Sequence, residues 1–263
     1  MGLFTDGQVN STQDLRNYEN GILDTASLEN IDLTGKMALA QDEIGTEILQ
    51  FLLKQTIRDP HGFPYVFPSG SLRRKLGVSD VTVTPELKRW HALKTLDFAY
   101  ADAYNNQLND RYAGKQKQYE KRAARAELSY FETGVGISLD PMSRALAPIL
   151  DAVGGLSAGA TFYVQTSWIN HAGQESSPSE LVSYSTADST QLRVEAVGVP
   201  VNAAGWNVYA GYTPDNDTLQ NDAPIPVGTS WIMPLAGIRT GRNPGSGQTA
   251  DRYVVNDRVL LRG

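Results

Sequence analysis

Apolar side chains return every three or four residues from Met37 through Ile44, Ile48, Leu49 and Leu52 to Leu53. That spacing lines one face of a helix, and Asp32 or Thr34 stands where the free amides of a first turn need an acceptor. The helix is expected to run from Asp32 to about Arg58. Asp59-Pro60-His61-Gly62-Phe63-Pro64 stops it, because proline lacks an amide proton and disfavours helix in the residue before it. Ser69 to Leu76, closed by Gly77, predicts a short second helix.

A longer stripe follows. Thr84-Pro85-Glu86 is a helix start, with a hydroxyl cap, proline at the first helical position and an acid at the positive end of the dipole. Large or apolar residues then fall at Leu87, Trp90, Leu93, Leu96, Tyr100, Tyr104, Leu108, Tyr112, Tyr119, Ala123, Ala126 and Tyr130. A single helix from Thr84 to Phe131 would be about 70 Å long at about 1.5 Å per residue, too long for a compact domain of this size. Either the helix breaks between Asn109 and Gly114, or it projects and buries its stripe against other chains. Gly114 weakens a helix by only about 1 kcal/mol, so continuity is the favoured expectation.

Ser138 to Asp151, with Pro141 in its first turn and Gly154-Gly155 after its end, predicts one more short helix. Beyond Gly159 the pattern changes to period two and to β-branched and aromatic residues. Strands are expected at Thr161–Ile169, Leu181–Ser185, Gln191–Ala196, Trp206–Tyr212 and Ser230–Met233, each bounded by Gly, Pro, Asn or Asp. Gly237 to Gln248 reads as an extended arm, and the chain after it is again strand-like. The expected fold class is therefore α+β and multidomain. A helical bundle with one long helix (residues 1–155) precedes a small antiparallel β-sandwich (156–236) and an extended C-terminal arm (237–263).

Composition narrows the function. Hydrophobic residues make up 41% and charged residues 20%, the balance of a chain that buries a core. No cysteine is present, which removes disulfides, thiolate metal sites and cysteine nucleophiles. The start carries neither a basic nor an apolar leader, and no run reaches the roughly 20 apolar residues of a membrane span, so neither export by a cleaved signal nor a membrane partner is expected. The net charge of −6 argues against general duplex binding. Its distribution is uneven: residues 1–150 carry −2, residues 151–236 carry −7, and residues 237–263 carry +3. A basic tail behind an acidic module suggests that the tail rests on an interaction surface.

Candidate chemistry is sparse. His61, His91 and His171 lie in separate elements without metal-ligand spacing. Gly241 to Thr249 resembles a phosphate-binding loop, but Arg242 replaces its first glycine and Gln248 its lysine. Asp215-Asn216-Asp217 with Asp222 offers oxygen ligands for calcium or, equally, an exposed turn. Trp168, Trp206, Tyr209, Tyr212 and Trp231 could stack on a sugar, though a sandwich core needs such residues and core is favoured. Lys115, Lys117, Lys121, Arg122 and Arg125 form a basic stretch facing DNA, an acidic neighbour or solvent. No cofactor and no metal is expected, and no spacing supports an enzyme.

Ile31-Asp32-Leu33 leading into Ala40-Gln41-Asp42-Glu43-Ile44, then Leu87 to Leu96 and Tyr104 to Tyr112, resemble the helical core of head-to-tail adaptor (connector) proteins of tailed bacteriophages over about residues 30–150. Gly173 to Ser179 and Trp206 to Gly211 resemble parts of an immunoglobulin-like or fibronectin-III-like module. The chain departs from antibody domains in lacking a cysteine pair, and from simpler adaptors in carrying a β module at all. The resemblance implies a structural virion protein, assembled in the host cytoplasm as a dodecameric ring that joins the portal protein to tail or neck proteins and makes non-specific contact with passing DNA. Trp90, Leu93, Tyr100, Tyr104, Leu108 and Tyr112 would pack the ring. Tyr253, Val254, Val255, Val259, Leu260, Leu261 and Arg262 would form the portal-binding arm. The alternative is a tail or surface protein binding host carbohydrate through its β domain.

Overall fold

The computed structural model describes residues 2–58, 76–106 and 110–255. Among them the chain is α+β. The helices are α1 (Thr12–Tyr18), α2 (Ile22–Leu28), α3 (Leu33–Arg58), α4 (Pro85–Asn106) and α5 (Ala113–Thr133). The strands are β1 (Val135–Ile137), β2 (Ile149–Gly154), β3 (Thr161–Asn170), β4 (Val182–Ser185), β5 (Thr190–Glu195), β6 (Ala203–Gly211), β7 (Thr218–Leu219), β8 (Trp231–Ile232) and β9 (Arg252–Val254). They form antiparallel sheets of order β1-β9, β2-β5-β8 and β4-β3-β6-β7.

Two compact units interrupt each other in sequence. The helical unit takes Gly7–Leu139 and the chain from Thr249 onward; the β unit takes the first six residues and Asp140–Gln248. This differs from the expected boundaries at residues 155 and 236. The β unit is an insertion that begins at Asp140, and residues 237–248 belong to it instead of forming a free arm.

In the helical unit, α3 keeps its expected limits, and the Asp32 carboxylate accepts from the Thr34 amide at 3.0 Å. Thr84 caps α4 by accepting from the Leu87 amide at 3.3 Å. The long rod is not formed. α4 ends at Asn106, a 3-10 turn spans Asp110–Tyr112, and α5 packs back along α4. Trp90 meets Tyr130 at 5.4 Å and Phe131 at 5.5 Å, and Tyr100 stacks on Tyr119 at 5.3 Å with ring planes 3° apart. The energetic reason is a matter of size. A Gly114 penalty near 1 kcal/mol favours neither outcome strongly, whereas each aromatic side chain covered inside one chain contributes several times that. Trp90, Leu93, Tyr100 and Tyr112 are buried within the chain. The expected short helix at residues 69–76 and the stop at 59–64 lie outside the described residues, apart from Leu76.

Strand β1 follows directly on α5 and pairs with β9, Val135 opposite Val254 and Ile137 opposite Arg252. Ser138–Asp151 is not a helix. Residues up to Pro148 are irregular, Met142 and Ala145 fill the β-unit core, and Ile149 begins β2 against β5. Two prolines remove amide donors from this stretch, and a short apolar run has no period long enough to separate helix from strand.

In the β unit all five expected strands are present. Their alternation places Phe162, Val164 and Trp168 of β3 and Trp206, Val208 and Ala210 of β6 in one cluster with Leu192 and Val194 of β5 and Trp231 of β8. The residues between them point to the opposite face. On β3 and β6 they include Ser167, Asn207 and Tyr209, which are buried as well.

Candidate functional site

Two surfaces carry the polar chemistry, one in each unit. On α5, Tyr119, Ala123, Ala126 and Tyr130 turn inward, which sets the remaining faces toward solvent. Lys117, Lys121 and Arg125 lie there at intervals of four residues, each step about 6 Å along the axis. All three are exposed and pair with no carboxylate among the described residues. The other two members of the basic stretch are engaged. Lys115 forms an ion pair with Glu19, whose carboxylate also accepts from the Tyr119 hydroxyl at 2.8 Å. Arg122 lies over the Tyr119 ring at 5.5 Å. Burial would raise the Glu19 carboxyl, but hydrogen bonds from Lys115 and Tyr119 outweigh it and hold it below its ordinary value. An unpaired row of cations at helical pitch can contact a polyanion or an acidic neighbour through charge alone, without reading sequence.

In the β unit the outward face of the four-stranded sheet is organised by Glu175. One carboxylate oxygen accepts from the Ser167 hydroxyl, from Asn207 Nδ2 at 3.0 Å and from the Tyr209 hydroxyl at 2.5 Å. The other accepts from Arg242 Nη2 at 2.7 Å, and the same guanidinium sits 5.5 Å from the centre of the Tyr209 ring. Burial would raise this carboxyl; the four donors more than offset that and hold it below its ordinary range. Tyr209 is pushed up by burial and by the carboxylate it bonds. A carboxylate saturated by donors and neutralised by arginine is a clamp, not a proton carrier.

Arg242 comes from the segment expected to be a free arm. That segment lies on the β unit: Leu219 donates its amide to the Arg242 carbonyl at 2.9 Å, Arg239 pairs with Asp222 at 2.9 Å, and Gln220 bonds both the amide and the carbonyl of Arg239. At its end Gln248 accepts from the Met142 amide at 2.6 Å. The glycine-rich run that resembles a phosphate loop is explained by close backbone approach. A Cβ on Gly241 would stand 2.5 Å from the Leu219 carbonyl oxygen, and Gly247 has φ +95° against Gly2. The alternation of β3 and β6 hints that Ser167, Asn207 and Tyr209 share a face, but only the strand register shows that Glu175 closes over them.

The remaining candidates separate. Trp168, Trp206 and Trp231 are buried in the core and Tyr209 is in the clamp, so of the proposed sugar platform Tyr212 alone is exposed. Tyr104 is partly exposed, and Leu108 lies outside the described residues. Tyr253 and Val254 pair with Gly136 and Val135, with Val255 beside them; Val259, Leu260, Leu261 and Arg262 lie outside the described residues. His91 is buried, its Nε2 donating to the Met37 carbonyl at 3.0 Å and its Nδ1 accepting from Asn10 Nδ2 at 2.9 Å. His171 is exposed in the turn after β3, and His61 lies outside the described residues. Asp215-Asn216-Asp217 forms the turn between β6 and β7. Among the described residues no group of three or more potential ligands is arranged to hold a metal, and no helix is long and apolar enough to cross a membrane. Family models, curated proteins and solved structures give no match to this chain.

Proposed function

We propose that this chain is a structural virion protein, a head-to-tail adaptor that assembles as a dodecameric ring between the capsid portal and the tail or neck proteins. In this reading the helical unit is the ring-forming bundle, the inserted unit is an immunoglobulin-like sandwich, and the chain is not an enzyme. The observation that carries it is the unpaired row Lys117, Lys121 and Arg125 on a protein whose net charge is −6. A cationic row kept on an acidic protein suits transient, sequence-independent contact with DNA passing along it. The resemblance of residues 30–150 to adaptor helices supports the same role.

Trp90, Leu93, Tyr100 and Tyr112 are covered inside one chain and offer nothing to a neighbour. The faces left for ring packing include Leu39, Leu49 and Leu53, exposed along α3. The carbohydrate alternative loses Trp168 and Trp206 to the core.

Purified protein mixed with portal rings and imaged by electron microscopy should show added ring density, and its native mass on the portal should be that of twelve copies. Truncation after Val255 should abolish attachment with an unchanged melting temperature. Truncation at residue 237 is not an equivalent test, because residues 239–248 are built into the β unit. Failure of the intact chain to attach to portal rings at micromolar concentration would remove the proposal.

A further inference from the structure

Gly7 to Ser11 enter the helical unit as an irregular segment with Val9 and Asn10 buried. Gln41 of α3 holds its backbone at two points, Nε2 donating to the Gly7 carbonyl at 2.9 Å and Oε1 accepting from the Val9 amide at 3.4 Å. The Asn10 side chain is committed twice. Its Nδ2 donates to the Lys88 carbonyl of α4 at 2.8 Å and to His91 Nδ1 at 2.9 Å. His91 Nε2 donates in turn to the Met37 carbonyl of α3 at 3.0 Å, so the ring is neutral with its proton on Nε2.

This arrangement has no place for a second proton. A proton on Nδ1 would face the Asn10 Nδ2 hydrogens. Turning the amide over is no remedy, because its oxygen would then stand against the Lys88 carbonyl. A charged ring would also lie wholly buried without a carboxylate to offset it. The charged side chains on the surrounding elements are engaged elsewhere: Asp14 of α1 with Ser11 and with Lys88 of α4, Lys36 of α3 with Asp102, and Lys94 of α4 with Glu43. Burial, opposed only by the Met37 carbonyl, holds the ring below its ordinary value.

We propose that His91 is an acid-operated latch on the N-terminal segment: its protonation expels Asn10 and frees Gly7 to Ser11 from α3 and α4, while the aromatic layer between α4 and α5 stays closed. The segment continues from residues 1–6, which complete the β unit, so the latch acts at one of the three places where the chain passes between the units. The inference stands apart from the adaptor reading and would hold for a chain with another role. Opening exposes the ring at its ordinary value of 6.5. Between pH 7 and 5 an imidazole of that value favours the open form by up to roughly 25-fold. No neighbour imitates this response. Asp14 and Glu19 are held below their ordinary values of 3.8 and 4.5 and give up their stabilisation only below them. Glu47 and Asp97 are held above theirs, so acid favours their closed form.

Amide exchange on the full chain at pH 7 and 5, corrected for the intrinsic pH dependence of exchange and resolved by overlapping peptides, tests the latch. The amides of Val9 to Ser11 should lose protection by about tenfold or more at pH 5, and those of α5 by less than about twofold. His91→Gln, which can accept and donate without titrating, should hold the change at Val9 to Ser11 below about twofold. Asn10→Ala removes the latch itself and should leave the segment open at both pH values, equally insensitive to acid, which keeps the test available if His91→Gln does not fold. Acid loosening of wild-type size in either variant overturns the proposal. So does a wild-type segment that loosens less than about twofold, or only in step with α5.

Discussion

The two units close themselves over by different means. The helical unit folds α5 back on α4 through aromatic side chains, Trp90 against Tyr130 and Phe131 and Tyr100 against Tyr119. The β unit holds residues 237–248 over its sheet through charges and amides centred on Glu175 and Gln220. Non-directional burial tolerates a shifted partner and strengthens with area; a saturated carboxylate demands each donor and leaves them stranded when it is removed. The contrast predicts which substitutions hurt each unit, and how each answers to acid.

The largest effect should come from Trp90→Ala, which empties the aromatic layer and should cost about 3–5 kcal/mol, read by urea titration with circular dichroism at the helical signal. A loss below about 1 kcal/mol would mean that the hairpin is held elsewhere. Glu175→Ala should cost about 2–3 kcal/mol, because Ser167, Asn207, Tyr209 and Arg242 lose their shared acceptor, while Arg242→Ala should cost about 1 kcal/mol. Trp168, Trp206 and Trp231 lie in the β unit and Trp90 in the helical one, so their fluorescence follows the β-unit transition in a Trp90→Phe background.

Acid should act on the helical unit first. Burial holds His91 below its ordinary value of 6.5, partly offset by its bond to the Met37 carbonyl. The unfolded chain therefore takes up a proton that the folded one refuses, and stability falls as pH drops below about 6.5. Protonating Nδ1 would also set it against the Asn10 donor. Glu175 is shifted down, so the stability it contributes is present above its ordinary 4.5 and is lost only below that. Glu47 and Asp97, shifted up, run the other way and soften the loss in the helical unit. Melting temperatures at pH 7, 5.5 and 4 should show the helical transition falling before the β-unit one, and His91→Gln should flatten the helical response between pH 7 and 5.5. The smallest effect on stability, within about 0.5 kcal/mol, is expected for K117E/K121E/R125E, which should nevertheless abolish salt-dependent retention on a DNA column.

Strand positions and the limits of α3 were readable because proline, glycine and period-two runs are local signals. The fold-back of the long helix was not. Steps of three and four residues fit one rod whose stripe faces outward and equally fit two antiparallel helices whose stripes face each other. α4 ends at Asn106 and α5 begins at Ala113, and no residue type in the sequence between them forbids or requires helix. Strand pairing was beyond reach for a similar reason, since the pattern of β9 shows that it wants a partner and is silent on β1 being that partner. Of the basic tail expected to rest on an interaction surface, Arg239 and Arg242 pair with Asp222 and Glu175, Arg252 is exposed, and Arg258 and Arg262 lie outside the described residues. The clamp itself was invisible because its members are spread from Ser167 to Arg242 and meet only through register.

The three-residue pairing of β1 with β9 brings together the two ends between which the 109-residue excursion runs, while a third crossing, at Asp6–Gly7, hands the first six residues to the β unit. Paired strands hold those ends about 5 Å apart. A domain whose own termini are equally close could be grafted between Leu139 and Thr249 provided the first six residues, which complete the present β unit, leave with it, and new surface specificities could then be acquired without redesigning the scaffold that carries them.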